Sequence, residues 1–332
     1  MRHHSIISTL LFISLFITIA CADESDYESS NVDEISVTGS DVNTDDREAD
    51  DNTNVDGIKS DEDNQASNDQ DETNLNAACD GELISAQASE EILELTYVSD
   101  PAEEDIYSTF NRIDKIAAIF ETCGDPWGLF PTTYRHITRR IIQAIENEQI
   151  EDTQWGKEIV VDFAGRYLAN LREAMIGGKP SYAWRHYYYL AGRDDVSRTR
   201  AVVIAMVAHL TLDLPYALVA IDSTEDHKDD YFVLGELMIE ITPYFIEDLR
   251  VYYGTDAEAI LNGFFFGNWI DGAFGSDTTI TLSYQTIRTK SWNNRWYLEK
   301  AWGKWVATSE IYTSFWTIDG ILATLDRTGV IQ

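Results

Sequence analysis

Apolar residues recur every three or four positions over most of the chain after residue 103, which is the spacing of amphipathic helices. Glycine and proline interrupt this pattern, for example at Gly124 and Pro126, and mark helix ends. The strand–helix alternation of a parallel sheet and the regular spacing of hairpins are both absent from the pattern. The sequence therefore predicts an all-α protein. The predicted helices are 103–122, 131–149, 154–175, 184–190, 200–221, 226–253, 256–270, 277–305 and 309–326.

The longest apolar run of the mature chain, 200–221, predicts a central buried helix over about 196–221. Two polar side chains, His209 and Asp213, interrupt this run four residues apart, so both project from one face of the helix. Burying an imidazole and a carboxylate costs several kcal/mol unless each finds a partner. The sequence therefore places its candidate site at these two residues.

The first 20 residues have the pattern of an export signal. A basic start at Arg2 precedes an apolar run, 6–20, that is short for a membrane span and typical of a signal-peptide core. The run ends at Cys21 in a segment that resembles the bacterial lipoprotein lipobox, although Thr18 stands where leucine is usual. We expect lipidation of Cys21, which makes the membrane a partner through acyl chains. An ordinary signal peptide and an uncleaved anchor are the alternatives.

Resemblance to lipoprotein sorting, in which aspartate after the cysteine favours the inner membrane, implies that Ala22 directs the protein to the outer membrane in a cell that has one. The localisation expected from the sequence is thus an exported protein anchored by lipid to the cell envelope.

The charge of the chain is concentrated in the next segment. The net charge is −34, and residues 22–90 contain 22 acidic and only 2 basic residues. Such a composition is typical of disorder, since little apolar surface is present to offset the ordering of the backbone. We therefore divide the chain into a signal peptide over 1–20, a disordered acidic tether over 21–88 and one all-α domain over 90–332. Nucleic acid is excluded as a partner, because no basic stripe is present to neutralise phosphates.

Two further features of the sequence bear on packing. With Cys21 assigned to lipid, Cys79 and Cys123 remain, and outside the cytoplasm they form either one disulfide or two separate thiols. Five tryptophans lie near the C-terminus at helical spacing, which predicts core packing. They are Trp292, Trp296, Trp302, Trp305 and Trp316.

Three interpretations of His209 and Asp213 remain open. In the first they form a buried polar network, in which Asp213 orients His209 or pairs with Arg166. In the second they bind a divalent metal such as zinc together with Asp162 or Glu158, since side chains at positions i and i+4 can converge on one ion. In the third His209 is a general base that Asp213 orients. No cofactor is assignable from the sequence.

Four blocks of the sequence share one pattern with a known family. The most specific block is Ala208-His-Leu-Thr-Leu-Asp-Leu214. The other three are Tyr134-Arg-His-Ile-Thr138, Phe163-Ala-Gly-Arg-Tyr-Leu168 and Ser181-Tyr-Ala-Trp184. Together they resemble the bacterial family known as domain of unknown function 5995, over residues 108–306. The family often has asparagine at the positions of Val207 and Thr211, so a site that uses those amides would be altered here.

The resemblance implies a helical domain and supplies no established activity. The candidate site therefore rests on the residues themselves, with Arg166 from the network interpretation and Asp162 from the metal interpretation. The candidate residues are His209, Asp213, Arg166, Tyr167, Trp184 and Asp162. We expect a binding or interaction module whose protein or small-molecule partner is unknown. The alternative is a metal-dependent, phosphoesterase-like hydrolase that uses His209 and Asp213 as ligands.

Overall fold

The structure, a computed structural model, describes residues 78–98, 104–266 and 284–331. Within these residues nearly all regular structure is helical, so the prediction of a single all-α domain is confirmed. The helices are α1 (Ala86–Leu95), α2 (Ile106–Cys123), α3 (Leu129–Glu146), α4 (Thr153–Met175), α5 (Tyr182–Ala191), α6 (Arg198–Ala208), α7 (Leu214–Ala220), α8 (Lys228–Glu240), α9 (Thr242–Tyr253), α10 (Glu258–Phe266), α11 (Tyr284–Leu298) and α12 (Lys304–Arg327). The predicted signal peptide, Cys21 and nearly all of the predicted acidic tether lie outside the described residues.

The predicted central helix consists of two helices joined by one wide turn. Helix α6 is buried almost along its whole length, and α7 continues in the same direction after a π turn, His209–Asp213. The stretch Arg198–Ala220 is long and apolar enough to cross a membrane, but 83% of its apolar window is buried inside the protein. It is therefore the core helix of the domain.

Ion pairs fix the last helix, α12, against α6. Arg200 donates to Asp319 Oδ1 over 2.7 Å, and His186 Nε2 lies 3.0 Å from the other oxygen of the same carboxylate. Arg200 Nη1 also lies 3.6 Å from Asp326. Because Asp319 and Arg200 are both largely buried, this pair holds the two helices in one register.

The structure differs from the predicted helices in two places. The helix predicted over 226–253 is divided into α8 and α9. Pro243 lies in the first turn of α9, where a backbone N–H would have no partner within the helix, so its missing N–H costs no hydrogen bond there. The structure also adds α1, which the composition placed partly in the tether. Its N-cap is Ser85, whose hydroxyl accepts from the backbone N–H of Ala88.

A short antiparallel hairpin precedes α1 and ties the start of the domain to α2. Its strands β1 (Cys79–Asp80) and β2 (Leu83–Ile84) pair in the register Cys79 opposite Ile84. Cys79 and Cys123 form a disulfide, with Cα atoms 5.5 Å apart. This settles the choice between one disulfide and two thiols.

We expect replacement of both cysteines, Cys79→Ser with Cys123→Ser, to lower the free energy of unfolding by about 4 kcal/mol. The disulfide closes a long loop, so its loss gives the unfolded chain more conformational entropy. Denaturant titration of the two proteins measures the difference. Reducing agent should destabilise the wild type and leave the double variant unchanged, and equal stabilities of the two oxidised proteins would contradict the expectation.

Candidate functional site

A proline follows the π turn His209–Asp213 and leaves one carbonyl of the turn without a backbone donor. The N–H of Leu214 bonds to the carbonyl of His209, five residues back. In this geometry the next donor to the Leu210 carbonyl would be residue 215, which is proline and has no N–H. The hydroxyl of Ser291 on α11 donates to the Leu210 carbonyl instead. The turn is therefore stabilised by a side chain from another helix.

The turn carries a hydrogen-bonded trio. His209 Nδ1 lies 2.9 Å from Asp213 Oδ2, and Trp184 Nε1 on α5 donates to the same oxygen over 2.7 Å. A carboxylate can only accept, so the imidazole proton is on Nδ1. His209, Asp213 and Trp184 are 3%, 4% and 0% exposed. This buried carboxylate thus receives two N–H donors from two different helices, which offsets the cost of its burial.

Aromatic rings enclose His209 on its other sides. Phe163 stacks on the imidazole with ring centroids 3.5 Å apart, and Phe130 and Tyr134 meet it edge-on at 5.2 and 4.7 Å. A cavity of about 20 Å³ borders the ring, which is the space of about one water molecule. No substrate-sized ligand fits there. A general base needs access to its substrate, and the described residues leave no substrate-sized space beside His209.

Burial lowers the pKa of His209, and the hydrogen bond from Nδ1 to Asp213 opposes that shift only in part. The imidazole is therefore neutral at physiological pH. Its Nε2, which then carries a lone pair, has no hydrogen-bond partner among the residues that the structure describes.

The structure separates the remaining candidate residues into two groups. Tyr167 is fully buried, and its ring packs against Trp184 with centroids 5.2 Å apart. Arg166 does not bind Asp213. It donates to Asp162 over 2.6 Å and to the backbone carbonyl of Tyr216 over 3.2 Å, and the Arg166–Asp162 pair is about 30% exposed.

Few side chains near His209 and Asp213 are free to bind a metal ion together with them. Asp162 is engaged by Arg166, and Glu158 accepts from Gln154 over 2.8 Å. Across the three described stretches, no group of three or more His, Cys, Asp or Glu side chains is placed to hold a metal ion. Zinc binding by His209 and Asp213 therefore stays a prediction that rests on two ligands.

A second feature of the π turn was missed by sequence reasoning. On the side of Thr211 the turn faces a cavity of about 370 Å³ between α11 and α12, which is the size of a small-molecule site. Six hydroxyl-bearing residues line it: Thr211, Ser291, Ser309, Thr313, Ser314 and Thr317. Three of the four hydroxyl-bearing lining residues on α12, Ser309, Thr313 and Thr317, recur every four residues. That spacing was visible in the sequence, but it does not indicate which helix lies opposite.

The charged residues of this cavity are paired with each other. Lys290 Nζ donates to Glu310 Oε1 over 2.7 Å, and Asn294 and Ser314 each donate to Glu310 over 2.6 Å. Burial by itself would raise the pKa of Glu310, but these hydrogen bonds outweigh it and lower that pKa. Glu310 is thus a carboxylate at neutral pH, and the pair with Lys290 has no net charge.

Fold and site together define an all-α domain with a buried polar trio in its core and a hydroxyl-lined cavity beside it. Residues 106–313 match the model of a family described as "Family of unknown function (DUF5995)", and the chain belongs to this family. The resemblance in the four sequence blocks is thereby confirmed. No curated protein matches the chain. No solved structure matches it either.

Replacement of Trp184 by phenylalanine should destabilise the domain by about 2–3 kcal/mol. The change keeps an aromatic ring but removes an N–H donor to a buried carboxylate. Trp316→Phe is a matched control, because this indole is only half-buried and its Nε1 has no hydrogen-bond partner among the described residues. We expect the control to cost about 1 kcal/mol or less. Equal losses in thermal or denaturant unfolding would show that the Trp184 hydrogen bond contributes little.

The stability of the protein should depend on pH through His209. Its folded-state pKa lies below the unfolded value of 6.5, so the unfolded chain takes up a proton first as the pH falls. Stability is therefore highest above pH 6.5 and is lost below it. His209→Asn keeps a donor for Asp213 but does not titrate, so its stability should fall less between about pH 7.5 and pH 5.

Burial also lowers the pKa of His136, which therefore contributes to the slope in both proteins. Urea unfolding at each pH measures the free energy of unfolding of wild type and of His209→Asn. The difference between the two pH profiles gives the contribution of His209 alone. Identical pH profiles would contradict the assignment of a depressed pKa to this residue.

Proposed function

We propose that the helical domain is a binding module, and that its ligand is a small, neutral molecule with several hydroxyl groups. The observation that supports this function is the cavity of about 370 Å³ between α11, α12 and the π turn. It combines a size suited to small ligands with convergent polar groups. The buried trio of His209, Asp213 and Trp184 then has a structural role, because it fixes the turn that forms part of the cavity wall.

The hydroxyls of the cavity suit a ligand that both donates and accepts hydrogen bonds. Ser309, Thr313 and Thr317 lie on the exposed side of α12, at the mouth. Deeper in, Thr211 donates to the Val207 carbonyl over 2.7 Å and Ser291 donates to that of Leu210. Each of these two oxygens still has a lone pair for a ligand donor. A sugar or polyol presents the complementary pattern.

The charges of the cavity favour a neutral ligand over an ion. The only ammonium group that lines it within the described residues, Lys290, is neutralised by Glu310. An anionic ligand would have to compete with that carboxylate. The apolar side chains of Ile287 and Ile318 complete the lining and suit the carbon skeleton of a sugar or polyol.

We propose further that the protein is exported and anchored by a lipidated Cys21 to the cell envelope, at the outer membrane where the cell has one. The apolar run 6–20 before Cys21 and the small residues Ala20 and Ala22 around it support this location. Metabolic labelling with a fatty acid, in wild type and Cys21→Ser, tests it. Label in both proteins, or in neither, would contradict the anchor.

A calorimetric screen of neutral monosaccharides, disaccharides and polyols, with charged sugars as the comparison set, tests the cavity. We expect neutral compounds to bind the wild type. Thr313→Val removes one hydroxyl and should weaken binding about fivefold, as the loss of one hydrogen bond of about 1 kcal/mol predicts. Thr313→Phe should block the mouth and abolish binding.

Thr308→Phe is the control for this experiment. Thr308 also lies on α12, near the surface, but does not line the cavity, so its replacement adds the same ring away from the ligand. It should bind as the wild type does. Absence of binding across the neutral set, or equal affinity in Thr313→Phe, would refute the proposal.

A further inference from the structure

Three tryptophans at the junction of α11 and α12 lie at the surface. Trp296, Trp302 and Trp305 are 44%, 63% and 76% exposed. The prediction that the C-terminal tryptophans pack in the core is therefore wrong for these three, although it is right for Trp292, which is 2% exposed. Large exposed aromatic residues grouped within ten positions of the chain require a functional explanation.

The geometry of the junction keeps these indoles outside. Leu298 at the end of α11 packs inward with Ala307 and Ile311 of α12, in a small apolar cluster separate from the main core. The inward positions are thus already filled by aliphatic side chains. A Cβ on Gly303 would lie 2.4 Å from the carbonyl oxygen of Tyr297, so this glycine permits the close turn. The tryptophans are left on the outer side of that turn.

The exposed rings form an ordered surface with lysines. Trp296 and Trp302 meet edge-on with ring centroids 5.8 Å apart, and Tyr297 contacts Trp302 at 6.0 Å. Lys300 places its Nζ 3.9 Å from the centre of the Trp296 ring. We call Trp296, Tyr297, Lys300, Trp302, Lys304 and Trp305 the tryptophan patch.

We infer that the tryptophan patch docks on the surface of a lipid bilayer. Indole has an apolar body and a polar N–H, and it concentrates at the level of the lipid headgroups. Lysines beside it extend their ammonium groups to the phosphates. Glu299, which lies 3.8 Å from Lys300, is the one acidic residue of the sequence from Trp296 to Trp305, in a chain that is otherwise strongly acidic. The patch thus has the composition of a membrane-interface anchor.

The length of chain between the proposed lipid anchor and the described domain is compatible with contact between the tryptophan patch and the bilayer. The structure describes the domain from residue 78, and residues 21–77 join it to the proposed lipid anchor. The acidic composition of residues 21–77 predicts disorder, and a random coil of that length has an end-to-end distance of roughly 40 Å. The domain is therefore held within reach of the bilayer, and a second, weak contact suffices to orient it. This inference uses the lipid anchor proposed above and is independent of the cavity ligand.

Fluorescence quenching tests the inference on the full, naturally processed chain. The protein is reconstituted into vesicles of an equal mixture of phosphatidylethanolamine and phosphatidylglycerol, brominated near the headgroup end of the acyl chains. Bromine quenches only indoles at the bilayer surface. We expect quenching in the wild type and the loss of most of it in Trp302→Phe with Trp305→Phe.

The matched control removes two tryptophans elsewhere, Trp292→Phe with Trp316→Phe, and should keep the quenching. Lys300→Glu with Lys304→Glu should reduce it, because the charge that faces the phosphates is reversed. Two results would overturn the inference: vesicles that sediment with the protein but do not quench its fluorescence, and equal quenching in the two double tryptophan variants.

Protein that does not sediment with the vesicles would overturn both the inference and the lipid anchor. The proposed cavity ligand would be unaffected by that result, because calorimetry tests it separately.

Discussion

The structure depends on one buried carboxylate in the middle of its core helix. Asp213 is buried, and among the described residues two N–H donors, from His209 and Trp184, compensate its lost hydration. The donors come from its own helix and from α5, so the orientation of two helices is linked to one oxygen atom. Replacing such a group by an apolar residue can be harmless, but removing one partner leaves the other unpaired. The carboxylate thus makes the arrangement specific.

The same turn relates the core to the surface. Pro215 removes the donor that would close the turn, and Ser291 of α11 takes over the free carbonyl of Leu210. This bond ties helix α11 to the core helix beside the cavity that lies between α11 and α12. One side of the turn faces the aromatic core and the other side, with Thr211, faces the cavity. Wide turns of this kind occur often at functional sites in helices, because they change the direction in which side chains project.

Helix α12 connects the two surfaces for which a function is proposed. Trp305, Ser309, Thr313 and Thr317 follow one another at intervals of four residues, so they lie along one side of this helix. The tryptophan patch is at the N-terminal end of that row and the mouth of the cavity follows it. Ion pairs of Arg200 with Asp319 fix the other end of α12 to the core helix. Both surfaces consequently stand on one rigid element.

The sequence by itself determined the fold class, most helix positions and the proximity of His209 to Asp213, because periodicity and the i, i+4 relation are local properties of a helix. Tertiary structure decided the rest. It decided that Arg166 keeps only its i, i+4 partner Asp162 on α4 and does not pair with Asp213. The donor from Trp184, the hydroxyl cavity and the exposure of Trp302 depend on which helices become neighbours. Which helices become neighbours depends on how whole helix faces pack together, and the spacing of residues along the chain does not specify it.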